Sequence, residues 1–309
     1  MASSVPESGD TDDGLIGQLE RGRRQYLALV EPVRAELHRY CARMTGSVAD
    51  GEDVVQETLA AAYYELSQLK ELPPLRPWLF RIAHNRAIDH WRREQVRQAE
   101  PLDAAAELAG EPAREPDQVL ARQQAVHAAI SSFLELAPAQ RACVILKDVL
   151  EHSLDDIASE LSMSVPAVKA ALHRGRAALP ANAGAAVEPP PPREVSPALR
   201  RYASLFNAHD WDGVRALLAD DVRLDLVSRR KLAGREVGTY FTNYESVHDW
   251  HLTPAWLDGR EVLGVRRDRS AVRPGYVIAL TWHEGRVQAI RDYRYVSYIA
   301  QEGVFQFAG

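Results

Sequence analysis

The sequence predicts a multidomain chain: two all-α helical domains, the second a helix-turn-helix, followed by an α+β domain. Three observations predict it. Apolar residues recur at alternating spacings of four and three between residues 26 and 95 and resume between 119 and 179, the mark of amphipathic helices. Two segments rich in Pro and Ala, 97–118 and 181–196, interrupt that period. Beyond residue 218 the pattern changes to short strand-like runs punctuated by Asp258-Gly259 and Glu284-Gly285, both hairpin-turn signals.

Residues 1–24 are acidic and Ser/Gly-rich at their start and read as a disordered N-terminus. The first domain, 25–96, opens with Tyr26, Val30, Val33, Leu37, Tyr40 and Met44 on one face of a long helix that Gly46 ends. Asp50 is placed to cap the next helix, in which Val55, Leu59, Ala62, Leu66 and Leu69 repeat the pattern. Its outer face carries Glu52, Asp53, Gln56 and Glu57. Pro73, Pro74 and Pro77 then break the chain before a third helix, Leu75–Arg93. Leu79, Ala83, Ala87 and Trp91 fall four apart there, with Ile82 beside them, while Arg81, Asn85, Asp89 and Arg92 share the opposite face and the C-terminal end is basic. Cations for phosphate with amide and guanidinium groups for base edges suit DNA. The same face reads equally as a solvated one whose cations answer the helix dipole.

A flexible linker, 97–118, leads to the second domain, 119–180. Val119, Val126, Ile130, Phe133 and Leu134 form an apolar stripe, and Pro138 opens a helix through Val149 with Val144, Ile145 and Val149 inward. Ser153 is placed to cap a short helix whose Ile157, Ala158 and Leu161 face inward; Leu161–Ser164 is a tight turn, and Ser164 caps a helix over Val165–Leu179. That last helix holds Lys169, His173, Arg174 and Arg176 and no acid. At roughly 22 Å it suits a major groove; the plainer alternative is a helical hairpin with a solvated basic face. A spacer, 181–196, contains four consecutive prolines, Pro189–Pro192. The final domain, 197–309, reads as a helix pair (198–208, 211–218), a strand (222–227), a helix (237–247) and strands at 251–258, 261–267, 275–283 and 286–293, a curved antiparallel sheet able to fold around a pocket.

Composition excludes several classes. A length of 309 residues fits two or three domains, and 46% hydrophobic with 26% charged residues is ordinary for a globular protein. A net charge of −6 argues against indiscriminate coating of nucleic acid, although local patches decide phosphate contacts. Two distant cysteines, Cys41 and Cys143, make neither a disulfide framework nor a thiolate zinc site and fit a reducing cytoplasm. His38 and Cys41 lack a second ligand pair, so no metal is expected. No stretch approaches a membrane span or a signal-peptide core.

With these residues in view, the helical domains resemble a bacterial RNA polymerase sigma factor of the extracytoplasmic-function (ECF) type. DGEDVVQETLAAAYYEL (50–66) resembles the family's region 2.2, RPWLFRIAHNRAIDHWRRE (76–94) its regions 2.3 and 2.4, and residues 136–179 its region 4. The resemblance covers 25–180 and implies core RNA polymerase (the beta-prime clamp and the beta subunit) and promoter DNA as partners, with no cofactor and no membrane. It places Asp53, Gln56 and Glu57 toward the polymerase clamp. Asn85, Asp89, Arg92 and Arg93 match the part that reads and opens the minus-ten element, with His84 or Trp91 as stacking groups. Ser164, Lys169, His173, Arg174 and Arg176 match the reader of the minus-thirty-five element. Many members carry Ser-Arg after the lysine where Ala170-Ala171 stands here, which implies altered upstream recognition.

FNAHDWDGVRALLADDVRLDL (206–226) resembles the SnoaL-like cone of polyketide cyclases and steroid isomerases, a fold that some such sigma factors carry as a regulatory tail. A glycine-rich run typical of one subgroup is replaced by Ser228-Arg229-Arg230-Lys231. Tyr240, Trp256 and Asp292 are the candidate pocket residues, with Asp249 and His251 as further acid–base groups and Phe241, Trp250, Tyr276 and Trp282 as pocket walls or core. Asp292 lies between Arg291 and Tyr293 on a strand, where an ion pair is the commoner explanation. The chain is therefore read as a non-enzyme: a sigma factor whose tail modulates it, either as a packing element that positions the two DNA-binding domains or as a sensor of a small-molecule or protein ligand. Two alternatives stay open, a helix-turn-helix regulator that is no polymerase subunit and a ligand-binding or isomerase-like activity of the tail.

Overall fold

The computed structural model describes residues 9–98, 130–179, 194–245 and 249–308. The linker from residue 99 onward, Val119 and Val126, and the spacer through residue 193 lie outside them. Three helices build the first domain: α1 (Gly9–Thr45), α2 (Val48–Leu66) and α3 (Leu75–Gln98). Helix α1 starts within the stretch expected to be disordered. Its face from Tyr26 to Met44 is anchored in the core, and extending a formed helix carries no new nucleation cost. Gly46, at φ 79°, ends it. The cap of α2 is Ser47 rather than Asp50: the Ser47 side chain accepts the Asp50 N–H at 3.4 Å.

The second domain begins with a 3-10 turn (Ile130–Glu135), in which Phe133 is buried and Leu134 exposed. Helix α4 (Pro138–Val144) continues as a π-helical turn (Ile145–Val149). Helices α5 (Leu154–Glu160) and α6 (Val165–Ala178) form the helix-turn-helix, and Ser153 and Ser164 cap them as the sequence predicts, accepting from Asp156 N at 3.0 Å and Ala167 N at 3.3 Å.

One apolar core runs through both helical domains, joining Leu37, Tyr40 and Phe80 to Val144, Ile157 and Val168. Arg141, 1% exposed, ties them further: it donates to the carbonyls of Met44 (2.6 Å) at the end of α1 and Leu136 (3.0 Å). Those are carbonyls that a helix end and a turn leave unpaired. Burial pushes the Arg141 pKa down to about 10.

The C-terminal domain is α+β, as expected. Helices α7 (Pro197–Asn207) and α8 (Trp211–Ala216) precede strands β1 (Leu218–Leu226) and β2 (Arg230–Ala233). Helix α9 (Gly238–Glu245) leads to β3 (His251–Leu257), β4 (Arg260–Arg266), β5 (Tyr276–His283) and β6 (Arg286–Asp292). Helix α10 (Tyr298–Glu302) and β7 (Phe305–Phe307) complete it. The sheet order is β2-β1-β6-β5-β4-β3-β7, and the sheet is mixed rather than wholly antiparallel because β1 and β6 run parallel.

Side chains alternate across these strands. Leu263, Val265 and Ile290 pack inward with Tyr202, Phe206 and Phe241. Val262, Val277 and Tyr293 face the other way and meet Ala42 and Val48 of the first domain and Ile130 of the second. An antiparallel-rich sheet commonly leaves one face to water; here the helical domains cover it.

Helices α1 and α2 cross closely at Gly51, where an added Cβ would lie 2.5 Å from the Ala42 backbone. Gly51→Ala is expected to destabilise the chain by about 2–3 kcal/mol through overpacking. Urea unfolding measures this; a change below about 0.5 kcal/mol would mean the crossing shifts freely.

Candidate functional site

The acidic face of α2 exists, and the C-terminal domain lies on it. Arg291 grips the Asp53 carboxylate with both terminal nitrogens, Nη1 at 3.0 Å. Arg260 holds Asp50 in the same two-pronged way, at 2.9 and 2.8 Å. Glu52 has no exposed surface and is satisfied by the Arg34 guanidinium and by the Tyr298 hydroxyl, which donates at 2.8 Å. Burial raises the Tyr298 pKa and the Glu52 charge adds to this, so the phenol remains a neutral donor.

The turn after β3 reaches further along α2. The Asp258 carboxylate accepts the Val48 N–H at 2.9 Å, at the helix N-terminus, and the Val304 N–H at 2.9 Å. Glu302 pairs with His38 (3.3 Å) and Arg39 (3.4 Å) of α1. Of the three expected polymerase-facing residues, Asp53 is thus held by the C-terminal domain, Gln56 is half-buried in a cleft beside it, and Glu57 is exposed, 3.4 Å from Arg93 of α3.

Sequence reasoning missed Arg260, Tyr298 and Asp258, which act across the domain boundary. Strand alternation held one signal. Neighbours on β6 point to opposite faces, so Arg291 and Tyr293 meet α2 while Asp292 points inward. The ion pair expected of Asp292 is not what forms: Arg291 pairs with Asp53, and Asp292 is held by the Tyr240 and Tyr244 hydroxyls.

On α3, Asn85, Asp89, Arg92 and Arg93 are all exposed on one stretch of helix. His84 does not join them as a free stacking group. It shares a 2.8 Å hydrogen bond with Tyr40, and burial holds its pKa down at about 4. Trp91 is half-buried.

On α6, Lys169, His173 and Arg174 are exposed, with Ala170 among them. Ser164 is spent as the helix cap. Arg176 departs from the expected set: its guanidinium meets Asp148 at 2.9 and 2.5 Å, and Asp148 is 1% exposed, so the pair locks α6 onto the π-helical turn.

Beside α5, His152 is buried where the helical domains meet. Its Nδ1 faces Glu160 (2.9 Å), its Nε2 faces Glu36 (3.0 Å) and Arg76 (2.9 Å), and its ring packs on Phe80. Burial opposes the imidazolium, but its hydrogen bonds to the Glu160 and Glu36 carboxylates outweigh it and raise the pKa above 6.5.

In the C-terminal domain, Tyr240 and Asp292 do come together. The Tyr240 hydroxyl donates to Asp292 at 2.7 Å, Tyr244 approaches at 3.3 Å, and the Arg294 N–H donates at 2.9 Å. Burial raises the Asp292 pKa while the Tyr240 hydrogen bond and the Arg294 charge oppose it. Arg294 also donates to Tyr244 and Tyr276, so the carboxylate and phenols are consumed by one another. Trp256 packs half-buried against the same apolar cluster. Asp249 is exposed and pairs with Arg267 at 3.4 Å, and burial lowers the His251 pKa. Phe241 and Tyr276 are core. Among the described residues no three His, Cys, Asp or Glu are grouped to hold a metal, and no helix is long and apolar enough to cross a membrane.

Comparison with known proteins matches residues 29–97 to the family model for sigma-70 region 2 and residues 128–179 to that for sigma-70 region 4. The RNA polymerase sigma factor CnrH of Cupriavidus metallidurans is 35% identical over 139 residues, which cover 43% of this chain and 72% of CnrH. The ECF RNA polymerase sigma factor SigG of Mycobacterium tuberculosis is 32% identical over 215 residues, covering 62% of this chain but only 58% of SigG. The crystal structure of the Mycobacterium tuberculosis ECF sigma factor SigJ aligns with 88% of this chain and 98% of its own at 22% identity and a TM-score of 0.36.

Two outcomes test this geometry. Arg176→Ala leaves Asp148 buried without its cation and is expected to cost about 3 kcal/mol in urea unfolding. Arg174→Ala, on the exposed face, is expected to stay within about 0.5 kcal/mol. Equal effects would mean that Arg176 does not lock α6. For His152, whose folded pKa is raised, the stabilisation is full below its unfolded pKa of about 6.5 and is lost as pH rises through the folded value. An NMR titration of the ring should give a pKa above 6.5, and a value at or below it would contradict the network.

Proposed function

The chain belongs to the extracytoplasmic-function family of RNA polymerase sigma factors, and from that premise we propose that it binds core polymerase through α2 while its C-terminal domain competes for the same face. Sigma factors are non-catalytic initiation factors, so the work to be explained is binding. In this reading Asp53, Gln56 and Glu57 meet a basic clamp surface on the polymerase. Asn85, Asp89, Arg92 and Arg93 engage the minus-ten element, and Lys169, His173 and Arg174 the minus-thirty-five element. Ser164 and Arg176 set the position of α6 instead of touching bases.

The observation that carries the proposal is the pairing of Asp50 and Asp53 with Arg260 and Arg291. A carboxylate already held by one guanidinium fork cannot present the same lone pairs to another. Polymerase and the C-terminal domain are therefore alternatives on α2, and the tail acts as a brake.

DNA geometry points the same way. Elements centred about 25 base pairs apart are separated by about 85 Å along the duplex. A compact chain of 309 residues has a radius of gyration of about 19 Å, and here both helical domains share one core. Reading both elements at once requires that core to part.

In vitro transcription with purified core polymerase on a genomic fragment library tests this. The full chain carrying Arg260→Glu and Arg291→Glu is expected to give at least several-fold more specific starts than the unmodified chain. Asp53→Arg with Glu57→Arg is expected to abolish them even though it also loosens the tail. Starts that survive the second change in a folded protein would refute the polymerase contact and favour a regulator that is no polymerase subunit. Starts unchanged or reduced by the first change would refute the brake.

A further inference from the structure

Beside the brake lies a cleft of about 600 Å³ between the first domain and the C-terminal domain. We propose that it is a binding site for an organic phosphate with an apolar or aromatic body. One wall is apolar and comes from α1 and α2: Tyr26, Leu27, Leu59, Ala60 and Tyr63, the last with 41% of its surface open. The other wall is the turn after β1 and the start of β2, where Ser228, Arg229, Arg230 and Lys231 stand in place of a glycine-rich run.

Cations outnumber acids across this cleft. Arg23 reaches over from α1, and its Nη2 donates to the Arg229 carbonyl at 2.9 Å, which brings its charge beside the turn. Arg34 lines the cleft too, but Glu52 neutralises it. Asp225 is the one carboxylate in the lining; it lies opposite Lys231 across the strands and 4.0 Å from Arg291, so it offsets part of the lysine's charge. Arg23, Arg229 and Arg230 line the cleft with exposed side chains, Arg229 stacked over the Tyr295 ring at 4.7 Å. Guanidinium groups backed by a lysine suit phosphate oxygens. A further polar residue, Gln56, lines the cleft beside them.

The volume falls in the range of small-molecule sites, and the mix of apolar wall with a few converging polar groups is their usual composition. A nucleic-acid backbone would use a strip of cations but not the apolar wall of Tyr26, Leu59 and Tyr63. Because the walls belong to different domains, an occupant makes its full set of contacts only while they are together, so it favours the closed arrangement. That last consequence rests on the brake proposed above; binding itself does not.

Direct binding to the full chain separates the two. The probes are N-methylanthraniloyl-ADP, as a nucleotide, and dodecyl phosphate below its micellar concentration, as a lipid phosphate. Inorganic pyrophosphate, dodecyl maltoside and a random 20-base-pair duplex are the controls. One organic phosphate is expected to bind with micromolar affinity and at least tenfold more tightly than pyrophosphate or the maltoside, and whichever binds identifies the source. Arg230→Glu with Lys231→Glu, and separately Ala60→Trp, which fills the cleft, should each weaken it at least tenfold while the thermal midpoint is kept. Bound ligand should also slow hydrogen exchange on both walls, in the 56–63 and 228–231 segments. Binding of neither probe, binding unaffected by the variants, or binding of the duplex alone would overturn the proposal.

Discussion

A fully buried carboxylate organises this molecule. Glu52 has no exposed surface, and burying an ionised group is costly unless it is paired and hydrogen-bonded. Arg34 of α1 supplies the charge and Tyr298 of α10 a neutral donor, so the first domain is satisfied only with help from the last. The rest of the boundary is arranged around that point. Asp50 and Asp53 flank it with their own arginines, Asp258 takes up the free N–H at the head of α2, and Val48 and Ala42 bury against Val277 and Tyr293.

The pairs are not equal. Arg260 and Arg291 retain partial exposure, and ion pairs of that kind are individually weak. The Arg34–Glu52–Tyr298 set is sheltered and resists separation. A competing basic surface can thus peel the outer arginines away first and meet the buried set last. Under the proposed function, this ordering would let a polymerase engage α2 by steps rather than against the whole interface at once. The joint core of the helical domains adds a second barrier, with Arg141 and His152 as its polar fastenings.

What was legible in the sequence was local. The helix-turn-helix caps, the end of α1 at Gly46 and the exposed polar face of α3 all follow from residues a few positions apart. The cap of α2 was misplaced by one turn because an acid in the first turn and a cap obey the same dipole, and only backbone geometry distinguishes Ser47 from Asp50. Arg176 looked like its neighbours on α6 until its distant partner Asp148 was visible. Strand β2, α10 and β7 are too short for a periodicity to emerge. The domain boundary was illegible for the same reason: Arg291 and Asp53 are separated by 238 positions, and no spacing rule reaches that far.

The proposed brake and the surface it covers are parts of one chain. A tether of a few tens of residues or fewer holds such partners at an effective concentration on the order of millimolar. For the proposed brake, dilution, growth or altered expression leaves the covered fraction unchanged, because each molecule carries cover and surface at a fixed ratio of one to one. A competitor for α2, or a ligand that distinguishes the closed from the parted form, shifts the balance by its affinity for one of the two.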